Sequence, residues 1–375
     1  MICMNIKAEI HRAGKMVFVT LLLVCILPLS CLDKIDIEIP QAVKEGLVIE
    51  GQLTQGNPSH IRVSLTRIFD FTANSRKPVN VRDVFLIDDI GNRVEIPEKS
   101  PGVYETTLPP DLIPVEVGNA YGINIFTQDG RELLSTLDPL LAVPEPTKIT
   151  LEPVEVEVSN AIGEPSVEDF FRFILHTSAN SSEPGRKARL QWQIERTYKL
   201  TDSPMPPPAV DPKTCFITEA ADVFSISILD ANTLIDVSEV IVPVYETPIN
   251  SQFAEGYYLT VYQQSLSEGA YQYWDQVSQV VERTGNMFEA PAGKIQSNIS
   301  NIEENSSDEI FGYFYATQRD TIRLFVSPET ANNPETFCPG PPSLPPPGGG
   351  CPRVPCCDCL VAEQSTTVRP NFWVE

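Results

Sequence analysis

Residues 47–65 read LVIEGQLTQGNPSHIRVSL. Leu47, Ile49 and Leu53 alternate with polar residues, and Ile61, Val63 and Leu65 repeat the alternation. A period of two puts every second side chain on one face, which is the pattern of a strand lying on a core. Val84 to Ile87 is a shorter apolar run. Asp89-Ile90-Gly91-Asn92 then turns the chain before Val94 and Ile96, and Pro101-Gly102-Val103-Tyr104 marks another corner. Tyr121, Ile123 and Ile125 alternate up to Gln128-Asp129-Gly130, a hairpin turn into 132–135. Short strands at this spacing, with no helical period between them, predict an all-β sandwich of immunoglobulin-like or transthyretin-like type over 46–142. Pro144-Glu145-Pro146 reads as a linker.

The remainder, 147–375, is also rich in strand patterns, at 148–158, 170–177, 188–198, 223–229, 256–263 and 321–326. It carries one principal helix near 267–284. Ser267 is its N-cap, and Ala270, Tyr273, Trp274, Val277, Val280 and Val281 form a stripe at helical spacing that packs on the strands. Thr284-Gly285 closes it. Two proline-rich tracts, 203–212 and 339–355, read as extended loops. The fold class is therefore mainly β.

The front of the chain is of another kind. Lys7, Arg12 and Lys15 precede an apolar run from Met16 to Ile26, followed by Leu27-Pro28-Leu29-Ser30-Cys31. This is the layout of a bacterial secretory signal with a small residue before a cysteine. Residues 1–30 read as a lipoprotein signal peptide, Cys31 as the lipidated first residue of the mature chain, and 31–45 as an acidic tether. Cys25 follows Val24 and lacks the small residue. Lipid would then hold the protein at the membrane without spanning it.

The formal charge is -23. Removing 1–31 takes three basic residues and one acidic residue, so the mature chain is more acidic still. That argues against nucleic acid as a partner and against adhesion to anionic lipid. Six cysteines remain after Cys31: Cys215, Cys338, Cys351, Cys356, Cys357 and Cys359. In an exported chain they read as disulfides, with the connectivity open. Cys356 and Cys359 have Cys-x-x-Cys spacing, but a zinc ribbon needs a second knuckle and a redox pair needs a βαβ setting. Cys215, placed in the loop after the first proline tract, is expected to pair with a tail cysteine.

No catalytic motif stands out. His60 and His176 have no ligand at metal spacing, and neither a nucleophile elbow nor a phosphate loop is present. Asp88-Asp89 beside Gly91 lacks the alternating acids of a calcium loop and reads as a hairpin corner. No cofactor is expected.

One set of motifs, in order, is more specific. It comprises Leu47-Val48-Ile49-Glu50-Gly51, Pro101-Gly102-Val103-Tyr104, Gly118-Asn119-Ala120-Tyr121 with Gly130 downstream, and Tyr271-Gln272-Tyr273-Trp274. Asn298-Ile299, Glu309-Ile310-Phe311-Gly312-Tyr313-Phe314, Cys356-Cys357-Asp358-Cys359 and Arg369-Pro370-Asn371-Phe372-Trp373 follow. In this order the chain resembles the envelope lipoproteins of Bacteroidota grouped as domain of unknown function family 4249 (DUF4249). Ser297 stands where that pattern has glycine, and the proline-glycine tract is long. The resemblance implies an outer-membrane lipoprotein, on the periplasmic or cell-surface face, often encoded beside TonB-dependent receptors. It supplies no catalytic residues.

The expectation is thus a non-enzymatic outer-membrane lipoprotein, an accessory or binding component of a TonB-dependent transport system. The alternative is an independent surface module for adhesion or for glycan or protein binding. The ligand is not specified by the sequence.

Overall fold

A computed structural model describes residues 46–67, 77–159, 163–204, 211–221, 226–281, 295–303, 309–339 and 354–374. The signal segment 1–30, Cys31, the tether, Thr284-Gly285 and Cys351 lie outside the described residues. In the first half the strands are β1 (Leu47–Gln55), β2 (Ser59–Arg67), β3 (Lys77–Pro78), β4 (Asp83–Asp88), β5 (Arg93–Glu95), β6 (Glu98–Ser100), β7 (Val103–Leu108), β8 (Ala120–Phe126), β9 (Glu132–Ser135) and β10 (Asp138–Pro139). The second half has β11 (Pro146–Ser159), β12 (Pro165–Ser178), β13 (Arg189–Thr201), β14 (Thr214–Ala220), β15 (Ile228–Asp230), β16 (Glu239–Pro248), β17 (Tyr257–Ser265), helix α1 (Glu268–Val281), β18 (Ile299–Asn301), β19 (Ile310–Phe311), β20 (Phe314–Val326), the one-turn helix α2 (Val354–Cys357) and β21 (Ser365–Thr366). The fold is mainly β.

The large sheet runs β21-β14-β13-β17-β20-β1-β2-β7-β6, a second runs β18-β9-β8-β4-β5, and a third is β11-β12-β16. Alternation decides which side chains enter the cores. Ile49, Leu53, Ile61, Val63 and Leu65 from the large sheet meet Val84, Leu86, Ile123 and Ile125 from the second, all fully buried. This is the two-sheet packing expected of the first half. The other end of the large sheet, through Leu190, Trp192, Leu259 and Val261, meets Ile149, Phe171, Phe173 and Leu175 of the third.

The two halves are not separate bodies. Residues Glu45–Glu375 form one compact unit. β20 joins the halves, pairing parallel to β1 from Gly51↔Phe314 to Gln55↔Gln318 and antiparallel to β17 from Gln264↔Arg319 to Tyr257↔Val326. Ile299, Phe314 and Ala316 return to the first core. The expected linker is fastened instead of free. Val143 N–H donates to Gln318 Oε1 at 2.8 Å, and Gln263 Nε2 donates to Pro144 O at 2.6 Å. Ser265 Oγ donates to Leu141 O at 2.7 Å. Buried polar side chains on β17 and β20 thus satisfy the backbone that proline leaves unpaired.

Two further differences have local causes. β16 carries Pro243, which hides it from a pattern reading. It is an edge strand, and Pro243 pairs with Ile174 where the register shifts, a place where a strand tolerates proline. Helix α1 starts as expected, with Ser267 Oγ accepting from Ala270 N–H at 3.0 Å. Its stripe is only partly used, because Val280 and Val281 are exposed while Tyr273 and Trp274 pack against Tyr313 and Tyr315.

Candidate functional site: the stapled tail and its pocket

The C-terminal segment docks on β14 and adds β21 as the last strand of the large sheet. Cys215 is the second residue of that strand, not part of a loop, and it is disulfide-bonded to Cys359. A second disulfide joins Cys338 to Cys356, and Cys357 is also disulfide-bonded. Polar contacts fix the same knot. Asp202, buried just after β13, accepts from Lys213 N–H at 2.6 Å and from Cys359 N–H at 3.2 Å. Lys213 Nζ reaches Asp358 Oδ1 at 2.7 Å, and Asp358 also caps the turn that follows by accepting from Leu360 N–H. The hydrogen bond between them draws the Asp358 carboxyl below its usual range and holds Lys213 above its own. Further on, Arg369 donates twice to Trp373 O, and the buried Trp373 ring packs edge-on to Phe216 at 5.0 Å and beside Tyr258 at 5.1 Å.

This knot walls a cavity of about 250 Å³. Its floor is Tyr198 and Leu200 of β13 and Ile217 of β14. Phe337 and Pro355, one on each arm of the Cys338–Cys356 bridge, form a wall, and Gln252 closes the polar side. Among the described residues the Tyr198 hydroxyl is its one ionisable group. Burial, more than the nearby Glu219, raises the Tyr198 hydroxyl above the usual tyrosine range, so it stays protonated and can donate. Apolar walls beside the hydroxyl residues Tyr198 and Ser251 and the amide residues Asn250 and Gln252 suit a small uncharged group, aromatic or aliphatic.

A larger cleft of about 560 Å³ lies at the far end of the first core, lined by Arg67, Asn80, Thr127, Asp129, Arg131 and Glu309 among others. Polar and apolar residues line it alike, and Arg131 Nη2 lies 2.9 Å from Asp129. Hydrogen bonds from Thr127 and then Arg131 hold the Asp129 carboxyl down to about 2.

Several other titratable groups are engaged in structure. His60 meets Glu105 at 3.1 Å, and Lys99 and Arg62 share that carboxylate and help hold it near 2. His176 lies between Thr150 and Glu239. Asp88 satisfies the expected hairpin corner, accepting from the N–H groups of Ile90 and Asn92. Asp138 is buried and accepts from Ser267 Oγ at 2.5 Å and Ala316 N–H at 3.0 Å, yet burial lifts it to about 6. It lines neither of the two cavities. Among the described residues no three His, Cys, Asp or Glu side chains group as metal ligands. No helix among them is long and apolar enough to cross a membrane.

The motif residues that order the sequence have mechanical roles here. Tyr104 Oη accepts from Val81 N–H at 2.8 Å and donates to Val81 O, and Tyr121 Oη makes the same kind of double bond to Glu116 N–H and Pro114 O. The Asn298 amide pairs both ways with the Phe314 backbone. Gly312 has φ +92°, and a methyl group there would collide with Ile49 O. Asp202, Lys213 and Tyr198, which build the tail site, had no local sequence mark.

No curated protein matches the chain. Among solved structures it is similar to the crystal structure of trypsin-activated alpha-2-macroglobulin from Escherichia coli, at 16% identity and a TM-score of 0.19, over 60% of this chain and 15% of that one. At that score the likeness bears on neither fold nor activity. The family described as Domain of unknown function (DUF4249) matches residues 33–323. That span takes in the first core, most of the second, and every strand of the large sheet except β21 and the end of β20, and the chain belongs to this family.

Proposed function

We propose that the protein is a non-enzymatic binding component of the outer membrane, anchored through lipid on Cys31, and an accessory of a TonB-dependent transport system. The observation that carries this reading is the covalently stapled tail, which holds an uncharged pocket in place on a rigid sheet. A preformed, largely apolar pocket with uncharged hydroxyl and amide residues on one side captures a ligand, or a side chain of a partner. The disulfides accord with an exported chain. Lipid attachment would keep the pocket close to a receptor in the same membrane and raise its effective concentration there.

Two linked measurements test the reading. Cys31→Ser is expected to leave the chain unlipidated and to release it from membranes. The wild-type chain, tagged and recovered from gently solubilised outer membranes, is expected to bring a TonB-dependent receptor with it. Membrane retention without lipid would refute the anchor. Recovery without any receptor would transfer the function to independent adhesion or to binding of a glycan or protein.

A further inference from the structure

Strands β11 and β12 extend past the core they cover. Their inward pairs Ile149↔Leu175 and Leu151↔Phe173 sit on that core, and Phe171 is its last residue on this face, opposite the exposed Pro153. On the same face the next pairs are Glu155↔Asp169 and Glu157↔Val167, and all four residues are exposed, Val167 to 65%. The third strand, β16, ends at Pro248 opposite Phe170. Beyond that point two strands continue as a ribbon, with no third strand paired to them among the described residues. The ribbon's other face carries Val154, Val156 and Val158 in a row, with Phe170 opposite Val154.

Two-stranded ribbons gain little stability from themselves, and their open edges and faces are ready to pair. The charge here selects the occupant. From Leu151 to Phe171 there are six carboxylates, Glu152, Glu155, Glu157, Glu164, Glu168 and Asp169, and no Lys, Arg or His. The first cation along the strand, Arg172, is bonded to Glu246 at 2.5 Å. Such a surface repels anionic lipid and nucleic acid. It complements a polypeptide surface on which lysine and arginine surround apolar side chains, the latter meeting Val167 beside Glu155, Glu157 and Asp169 on one face and the valine row beside Glu168 on the other.

We propose that the β11–β12 ribbon beyond Pro153 and Phe171 is a docking arm for a basic polypeptide surface on a partner protein. The proposal is independent of the transport reading, since any basic envelope protein would satisfy it.

The test uses the full chain in its own cells. A photocrosslinking residue, p-benzoylphenylalanine, replaces Val156 or Val167 in the ribbon, or Ile90 as a control at an exposed corner elsewhere. Adducts are mapped to the peptide by mass spectrometry. The ribbon positions are expected to mark one partner, in a segment of net positive charge, and Ile90 to give no such adduct. Combining the Val167 probe with Glu155→Lys, Glu157→Lys and Asp169→Lys, which share its face of the ribbon, should lower the yield at least about ten-fold. Those three side chains are exposed, so the urea midpoint should not shift from the parent's. An adduct to a second copy of this chain, to lipid, or to an acidic or neutral segment would overturn the proposal. So would no adduct, equal yield at Ile90, or a yield indifferent to the reversed charges.

Discussion

Removing the Cys215–Cys359 bridge tests how the tail is held. The bridge closes a loop of 144 residues, and in the chain-entropy account a loop of that size destabilises the unfolded state by about 5 kcal/mol. This is large beside a typical net stability of roughly 5–15 kcal/mol. The perturbation is the double variant Cys215→Ala, Cys359→Ala, which leaves no free thiol. It spares the contacts of Asp202 with Lys213 and of Lys213 with Asp358. Urea unfolding at pH 7, followed by far-UV circular dichroism and by tryptophan fluorescence, is expected to lose about 4–5 kcal/mol. The m-value should rise, because the uncrosslinked chain exposes more surface when unfolded. Trp373 fluorescence should begin to change at lower urea than the sheet signal. A loss under about 1 kcal/mol with coincident probes would refute the reasoning, since the tail would then be held by its noncovalent contacts alone.

Other perturbations give independent readings. Asp138 has its carboxyl lifted to about 6 by burial, so the folded chain keeps a proton there that the unfolded chain has lost. Its stabilising share is complete below about pH 4 and falls by about 3 kcal/mol as pH rises through 6. In Asp138→Asn the amide accepts from Ala316 and donates to Ser267. This variant should flatten the stability profile between pH 4 and 6 and match or exceed the parent at pH 7; an unchanged slope would contradict the assignment. Glu105, held near 2 by Lys99, His60 and Arg62, acts in the opposite sense. Its contribution is present above about pH 4.5 and is lost as pH falls toward 2. Gly312→Ala, with a strained φ and a methyl aimed at Ile49 O, should cost at least about 2 kcal/mol in thermal or urea unfolding; a neutral result would show that β1 and β20 can move apart there. Non-reducing peptide mapping should find Cys357 linked to Cys351, the cysteine downstream of Cys31 left over by the other two bridges, and a free Cys351 would contradict it.

Much of this fold is written locally. Ile49, Leu53, Ile61, Val63 and Leu65 alternate because one face of each strand meets a core, and that pattern is visible in a single sequence. Ser267 is legible as a cap because a cap needs only its own turn. The joining of the halves is not local. The parallel pairing of β1 with β20 brings residues 51 and 314 together, and Gln263, Ser265 and Gln318 look like ordinary polar strand residues until the linker backbone is seen against them. Pro243 conceals β16 for a related reason, since only the three-dimensional sheet shows that the strand is at an edge. At the tail, cysteine count and export context gave the chemistry, while the partners of Cys215 and Cys338 depended on the docked segment. Asp202 and Cys359 are 157 residues apart in sequence, and no spacing rule reaches that far.

The most direct test of the proposed role is stoichiometry in place. Intact outer membranes would be crosslinked gently, the tagged lipidated chain recovered, and its partners counted against isotope-labelled reference peptides. The account predicts a TonB-dependent receptor at close to one copy per chain. Recovery of the lipidated chain with receptor only at background level would contradict it.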